Sequence, residues 1–290
     1  MFGNVRNTCF NGQAVTYDEI CNPNTFGSKS FEWCGRQLER ITDGDNTYVY
    51  SYNTDGDRVS KTVNGVKTEY FYNGSILAGQ KTGDETLIFM YDNNGDAFGF
   101  NYNGEEYYYI KNVQNDIVAI ADKNGDIVAN YYYDAWGNVI QITGNTALAQ
   151  TNPLRYRSYY YDSETGYYHL KSRYYSPEDG RFLNVDGYVQ TRQGLLDKNM
   201  FAYCGNNPVN RRDGNGNAWE DVKKWFSKRW NAFKNFVGNT WSADNQIENT
   251  DYIYCNISMI WPIVAVGALV GITNILEYSG YPQLQPQPNY

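Results

Sequence analysis

Polar and apolar residues alternate through much of the first half of the chain, as in Thr47-Tyr48-Val49-Tyr50-Ser51-Tyr52. A period of two places every second side chain on one face of a strand, so the pattern predicts half-buried β-strands. The alternation breaks at near-regular intervals. Turn glycines at Gly44, Gly56, Gly65, Gly74, Gly83, Gly95, Gly104, Gly125 and Gly137 follow one another by 12, 9, 9, 9, 12, 9, 21 and 12 residues. The longest step equals about two ordinary ones, with Gln114-Asn115 where the missing turn falls. Asn-Gly and Asp-Gly favour tight turns whose twist matches the flanking strands, which predicts a series of antiparallel hairpins over residues 1–150.

One unit recurs within the series. Tyr50-Ser51-Tyr52-Asn53-Thr54-Asp55-Gly56-Asp57-Arg58 and Tyr131-Tyr132-Tyr133-Asp134-Ala135-Trp136-Gly137-Asn138 are copies of it. Tyr17-Asp18-Glu19-Ile20-Cys21-Asn22-Pro23 is a third copy, with Cys21 in the glycine position. Asp92-Asn93-Asn94-Gly95-Asp96 and Asp122-Lys123-Asn124-Gly125-Asp126 look like fragments of calcium loops. Their glycine comes too early for that loop and no glutamate closes it, so they are read as hairpin turns and no metal is assigned.

From Asn152 to Asn217 the pattern tightens. Tyr159-Tyr160-Tyr161 and Tyr167-Tyr168-His169-Leu170 flank the turn Asp162-Ser163-Glu164-Thr165-Gly166, and Ser176-Pro177-Glu178-Asp179-Gly180 follows Tyr174-Tyr175. Three short strands in a meander are predicted. Arg155, Arg157, Lys171, Arg173 and Arg181 are interleaved with these tyrosines. Two readings follow: cation–π and phenol contacts on a solvated face, or arginines that hold carboxylates in a buried site.

The run from Asn152 to Val189, continued by Asn199 to Gly216, strongly resembles the core domain that closes RHS-repeat (YD-repeat) proteins, the shell-forming part of polymorphic toxins and of Tc-toxin C subunits. The likeness spans Tyr131 to Gly216, with weaker repeat-level similarity from Asn4. It implies a mainly β fold: a spiralling antiparallel YD-repeat ribbon, forming a partial shell, followed by a small α-helical C-terminal tail. The implied division is ribbon over residues 1–150, plugging core over 151–217 and variable tail over 218–290. In many members the core also cuts the tail free as an aspartyl autoprotease. Carried over by resemblance, the two carboxylates are Asp186 and Asp213, Arg181 or Arg212 supports them, and the cut falls around Gly216 and Asn217. Two carboxylates that share one proton can act together as base and acid. The chain departs from the family motif at Gly214, where proline is usual, at Asn217, where leucine is usual, and in having Gly187 after Asp186. Glycine there loosens the backbone around a bond that must be held for attack, and the alternative is a structural junction in which Asp213 forms a turn or caps the next helix.

After residue 217 the period changes. Trp219, Val222, Trp225, Phe226, Trp230, Phe233 and Val237 recur at three- and four-residue steps, with Lys223, Lys224, Lys228 and Lys234 largely off that stripe. An amphipathic helix is predicted, lying at a membrane interface or packed within the shell. No charged residue occurs from 252 to 276, and the apolar stretch read as a helix over residues 253–276 is long enough to cross a bilayer. It carries the close-packing pattern Gly267 to Gly271. The end of the chain is rich in proline and glutamine, without a fold signal.

Composition narrows the function. Twenty-nine tyrosines suit strands whose aromatics cover one another better than a compact aliphatic core. A net charge of -8 argues against a nucleic-acid partner. Cys9, Cys21, Cys34, Cys204 and Cys255 form no CxxC unit and are odd in number, so they are read as mostly free, buried thiols. The single histidine, His169, is read as packed among phenols rather than catalytic, which leaves metal-dependent and Ser-His or Cys-His hydrolysis unsupported. No cofactor is expected, and aspartyl autoproteolysis is the only enzymatic activity considered. Residues 1–10 show no secretory signal and read as the tail of a repeat.

The main expectation is therefore the C-terminal part of an RHS-repeat toxin, exported or at the cell surface, which encloses and delivers its C-terminal segment. Its implied partners are upstream repeats, an immunity protein and a target-cell membrane. The alternatives are a cell-surface adhesive repeat protein without toxin activity and a degenerate orphan cassette. In either case an unpaired ribbon edge would favour association.

Overall fold

The computed structural model describes residues 8–185, 199–214 and 216, together with the backbone of 219–221. Fifteen strands among these, β1 (Thr8–Phe10) through β15 (Val139–Gly144), pair in chain order as one antiparallel meander. The ribbon curls into a partial shell that does not close. A short helix, α1 (Thr146–Thr151), ends it, capped by the Asn145 side chain on the Leu148 N–H.

The repeated unit has a physical explanation. In Asp18, Asn53, Asp92, Asn112, Asp122 and Asp134 the side-chain oxygen accepts N–H bonds from the residues two and four further on, at 2.8–3.0 Å. One short carboxylate or amide thus satisfies two donors that a five-residue hairpin loop would leave unpaired. The register slips at Tyr17, Tyr52, Tyr91, Lys111 and Tyr133, each just before such a loop. A bulge there re-aims the side chain, which is a tyrosine at every one of these positions but Lys111. The hydroxyls of Tyr91 and Tyr133 then donate to the Leu77 and Ile117 carbonyls, both at 2.8 Å. Tyrosine suits this position because it buries a ring and also brings a donor.

The fourth loop residue is left-handed in every copy: Cys21 (φ 65), Gly56 (φ 86), Gly95 (φ 78), Asn115 (φ 70), Gly125 (φ 89) and Gly137 (φ 95). Cys21 therefore keeps the turn although it lacks glycine's freedom. Relief of that conformation in Cys21→Gly is expected to raise stability by about 1 kcal/mol, read as a higher urea midpoint. An unchanged midpoint would mean the turn carries no strain.

In a meander, successive turns alternate between two rims. Those at 18–22, 35–36, 53–57, 74–75, 92–96, 112–116 and 134–138 share one rim, and a second, four-stranded sheet packs on the wall toward it. This is β16 (Tyr160–Asp162), β17 (Tyr167–Leu170), β18 (Arg173–Ser176) and β19 (Arg181–Phe182), a fourth strand beyond the three predicted. Two apolar clusters bind it to the wall. Phe31, Leu38, Ile41 and Tyr48 pack with Tyr167, Tyr174 and Leu183. Phe89, Phe100, Ile120 and Tyr131 pack with Leu154 and Tyr160.

Two departures from the sequence reading stand out, at Trp219 and at the cysteines. Trp219, placed in a helix by its periodicity, lies in β21 (Trp219–Asp221), which pairs antiparallel with β20 (Arg211–Asp213). The remainder of the predicted amphipathic helix and the apolar stretch 253–276 lie outside the described residues. No helix among the described residues is long and apolar enough to cross a membrane. Finally, Cys9, Cys21 and Cys34 are exposed, since they occupy an edge strand, a loop and a strand end; Cys204 alone of the four described cysteines is buried.

Candidate functional site at the wall–core junction

The core sheet is tied to the wall by a buried ion cluster. Arg58, the first residue of β7 (Arg58–Val63), meets Asp162 at the end of β16 with both guanidinium nitrogens, Nη1 to Oδ2 at 2.6 Å and Nη2 to Oδ1 at 3.1 Å. Lys61 Nζ adds a contact to Asp162 Oδ1 at 2.8 Å and one to Glu164 at 2.6 Å. Arg58 is 1% exposed and Asp162 0%. The rings of Tyr50, Tyr70, Tyr160 and Tyr174 surround the guanidinium at 5.0–5.8 Å. Burial pushes the Asp162 carboxyl up, but Arg58 and Lys61 outweigh it and hold the group well below the usual carboxylate range.

Hydrogen bonds from the rim turns complete the seat. Lys171 donates to the Ser75 carbonyl (2.8 Å), Arg36 to Val185 (3.0 Å), and Tyr156, Tyr175 and Tyr168 to Ala135, Trp136 and Gly137 (3.0, 2.7 and 2.8 Å). Arg157 donates to the Gln114 carbonyl at 3.0 Å and to that of Pro208, while its backbone N–H bonds Asp116 at 2.9 Å.

At the far side of the core lies the junction. Asp213 is buried, 2% exposed, at the end of β20. Its Oδ2 is 3.5 Å from Arg173 Nη2, and its Oδ1 accepts the Gly216 N–H at 2.8 Å. Arg173 Nε donates to the Gly216 carbonyl and Nη1 to that of Met200 at 3.1 Å. Both backbone polar groups of Gly216 are therefore gripped, one by the carboxylate and one by the guanidinium. The Tyr159 hydroxyl donates to the Asp213 carbonyl and accepts its N–H at 3.2 Å. Gly216 has φ 80, and a Cβ there would stand 2.7 Å from the Leu170 carbonyl oxygen, so only glycine fits this cradle.

The residues singled out from sequence are distributed as follows. Asp213 and Gly216 meet in this cradle; Asp186 and Asn217 lie outside the described residues. The Arg181 guanidinium covers Phe10 and Phe201 at 4.5 and 4.3 Å. Arg212 is close enough to Lys111 of β12 (Glu105–Lys111) to help lower its ammonium, mainly depressed by burial, to about 8. The two readings of the interleaved arginines combine: Arg155, Arg157 and Arg173 are buried rather than on a solvated face, and Arg157 and Arg173 also lie over Tyr156 and Phe182, at 5.0 and 3.5 Å. Arg155 lies over Tyr161 at 4.6 Å and Arg181 over two phenylalanines, whereas Arg157 and Arg173 face the buried carboxylates of Asp116 and Asp213.

With this geometry in view, a family model described as Teneurin YD-shell matches residues 80–209. Over those residues the chain is a YD shell. The tRNA nuclease WapA of Bacillus subtilis (strain 168) is 37% identical over 229 residues, 76% of this chain and 10% of that protein. The tRNA(Glu)-specific nuclease WapA of Bacillus subtilis subsp. natto (strain BEST195) is 38% identical over the same shares. The crystal structure of TcdB2-TccC3-Cdc42 shares the fold with a TM-score of 0.59 at 21% identity, over 73% of this chain and 12% of that one. The chain thus spans about a tenth of the length of these three relatives.

Two groups in this YD-repeat shell have titrations that bear on its chemistry. Cys204, beside the junction, is pushed up to about 12 by burial, with Asp213 adding to the effect, so it is a thiol rather than a nucleophilic thiolate at neutral pH. His169, whose ring lies 5.0 Å from that of Tyr174, is pushed down to about 3 by burial and by Arg58. Its unfolded counterpart titrates near 6.5. Between those values the unfolded chain binds a proton that the folded chain refuses, so stability falls as pH drops through that window. The expected slope is on the order of 1 kcal/mol per pH unit, and His169→Phe is expected to flatten it in chemical-denaturation series from pH 7 to 4. An unchanged slope in the variant would assign the loss to other groups.

Proposed function

We propose that this chain is the closing part of a YD-repeat container in a bacterial toxin: ribbon as wall, core as plug, and the segment from about residue 218 as the cargo it encloses and delivers. The observation that carries this reading is the core sheet, clamped to the wall through Asp162 and Arg58, which holds Gly216 in a fitted cradle just before the chain leaves it. The WapA relatives support a toxin: that of Bacillus subtilis subsp. natto is a tRNA(Glu)-specific nuclease and that of Bacillus spizizenii a tRNA3(Ser)-specific one, although each matches this chain over 229 residues. That combination suits a common carrier with an exchangeable effector. Export to the cell surface or beyond, an immunity protein and further repeats upstream belong to the same proposal.

The cradle also supports self-cleavage around Asn217. Water would add to the carbonyl carbon, the C–N bond would break, and the released amine would take up a proton. Asp213 and Asp186 would share the proton that this exchange requires, and Arg173 would stabilise negative charge on the carbonyl oxygen. Expression of the whole chain, followed by intact mass and N-terminal sequencing, is expected to show a new N-terminus at Asn217 or Ala218. A single uncut species, or a cut that persists in the Asp186→Asn, Asp213→Asn double variant, would overturn the cleavage reading.

A further inference from the structure

The junction is a hairpin. β20 precedes the cradle, β21 follows it, and their register sets Arg211 opposite Asp221, Arg212 opposite Glu220 and Asp213 opposite Trp219. A cut around Asn217 falls in the loop of this hairpin, between its two strands. It would therefore break the chain without separating what it has joined. We propose that β20 is a docking strand for the freed segment: residues 219–221 remain added to the core as an antiparallel strand after cleavage, matched by two opposite-charge positions.

Three features support this. In register, Arg211 stands opposite Asp221 and Arg212 opposite Glu220, so each basic position of β20 has an acidic position across from it. Opposite charges across a strand pair favour the pairing and like charges disfavour it. The other side of β20 is fixed within the core: the Tyr159 hydroxyl holds the Asp213 backbone, Arg173 faces the Asp213 carboxylate and Arg211 donates to the Cys204 carbonyl at 3.4 Å. β20 is therefore positioned independently of the strand it receives. Lastly, a pair of three-residue strands is marginal by itself. Such a clasp retains its partner while the charges attract and lets go when they are screened. Retention would then be a separate step from cutting, with ionic strength as its release signal.

The inference rests on the reading that the chain is cut around Asn217, and the test makes the cut independently. A site-specific protease sequence is inserted after Asn217 in the full chain, the protein is cleaved with the added protease, and co-elution of the C-terminal fragment is measured at low and at high sodium chloride. The fragment is expected to stay with the core at low salt and to leave at high salt. Arg211→Glu with Arg212→Glu is expected to weaken retention about tenfold. Adding Glu220→Arg and Asp221→Arg is expected to restore it, which separates a lost clasp from a misfolded core. Immediate release from the unaltered core at low salt would overturn the proposal, as would retention indifferent to charge reversal. Failure of self-cleavage would leave this result unaffected.

Discussion

Arg58→Met is expected to destabilise the folded chain by about 3–5 kcal/mol, the usual consequence of leaving one member of a buried ion pair without its partner. Asp162 is 0% exposed, and loss of the bidentate guanidinium leaves its carboxylate with Lys61 as its remaining cation among the described residues. Arg58→Met combined with Asp162→Leu is expected to recover much of the loss, because an apolar pair of similar size needs no charge compensation and Lys61 keeps Glu164. No recovery in the double variant would place the cost in the packing of the four tyrosines. The pH dependence has a definite sign. A carboxyl held below its unfolded value of about 3.9 contributes fully above that pH and loses its contribution only as pH falls through the lower, folded value. The clamp is thus expected to be constant from pH 5 to 8, whereas His169 begins to weaken the fold as pH falls below about 6.5. Hydrogen exchange in residues 160–182 is expected to rise in Arg58→Met more than in the distant strands of the ribbon, since this pair joins core to wall.

Asp213→Asn is expected to slow the cut around Asn217 by about 10²–10⁴-fold, the range associated with loss of a positioned acid–base group. Asparagine keeps the size of the side chain and an oxygen for the Gly216 N–H, so the fold is expected to survive where the chemistry does not. Arg173→Lys should be nearly as damaging. One ammonium cannot serve the Gly216 carbonyl, the Met200 carbonyl and Asp213 from the positions that three guanidinium nitrogens occupy. Arg181→Lys provides the contrast. Its guanidinium lies on Phe10 and Phe201, so a modest loss of stability with an unchanged cleavage rate is expected. Equal cleavage in wild type and Asp213→Asn would remove this carboxylate from the mechanism.

Much of the wall was legible because its signals are local. Alternation and turn spacing mark the hairpins, and the Asp-to-glycine interval marks the loops, even where Cys21 or Asn115 replaces the glycine. The core meander was legible for the same reason, since Asp162 to Gly166 carries its own turn chemistry. Arg58 was not. It pairs with a carboxylate 104 residues away, and nothing near it distinguishes it from any arginine after a turn. Arg173 stood among interleaved arginines with two open readings, and only the path of the chain back through β20 decides that it faces Asp213. The error at Trp219 has a related origin. Three- and four-residue periodicity describes the stretch as a whole, but its first three residues find a strand partner at the junction, and a tertiary pairing outweighs a local preference.

The central claim is that a wall of tyrosine hairpins is closed by its core and that the chain beyond the cradle is the enclosed cargo. The most direct measurement is an electron cryomicroscopy map of this chain joined to the repeats that would precede it. The account expects the core sheet to close one end of a continuous β wall, with density for residues after 221 inside. Density for those residues on the outer surface, or a core detached from the rim turns at 74–75 and 134–138, would contradict it.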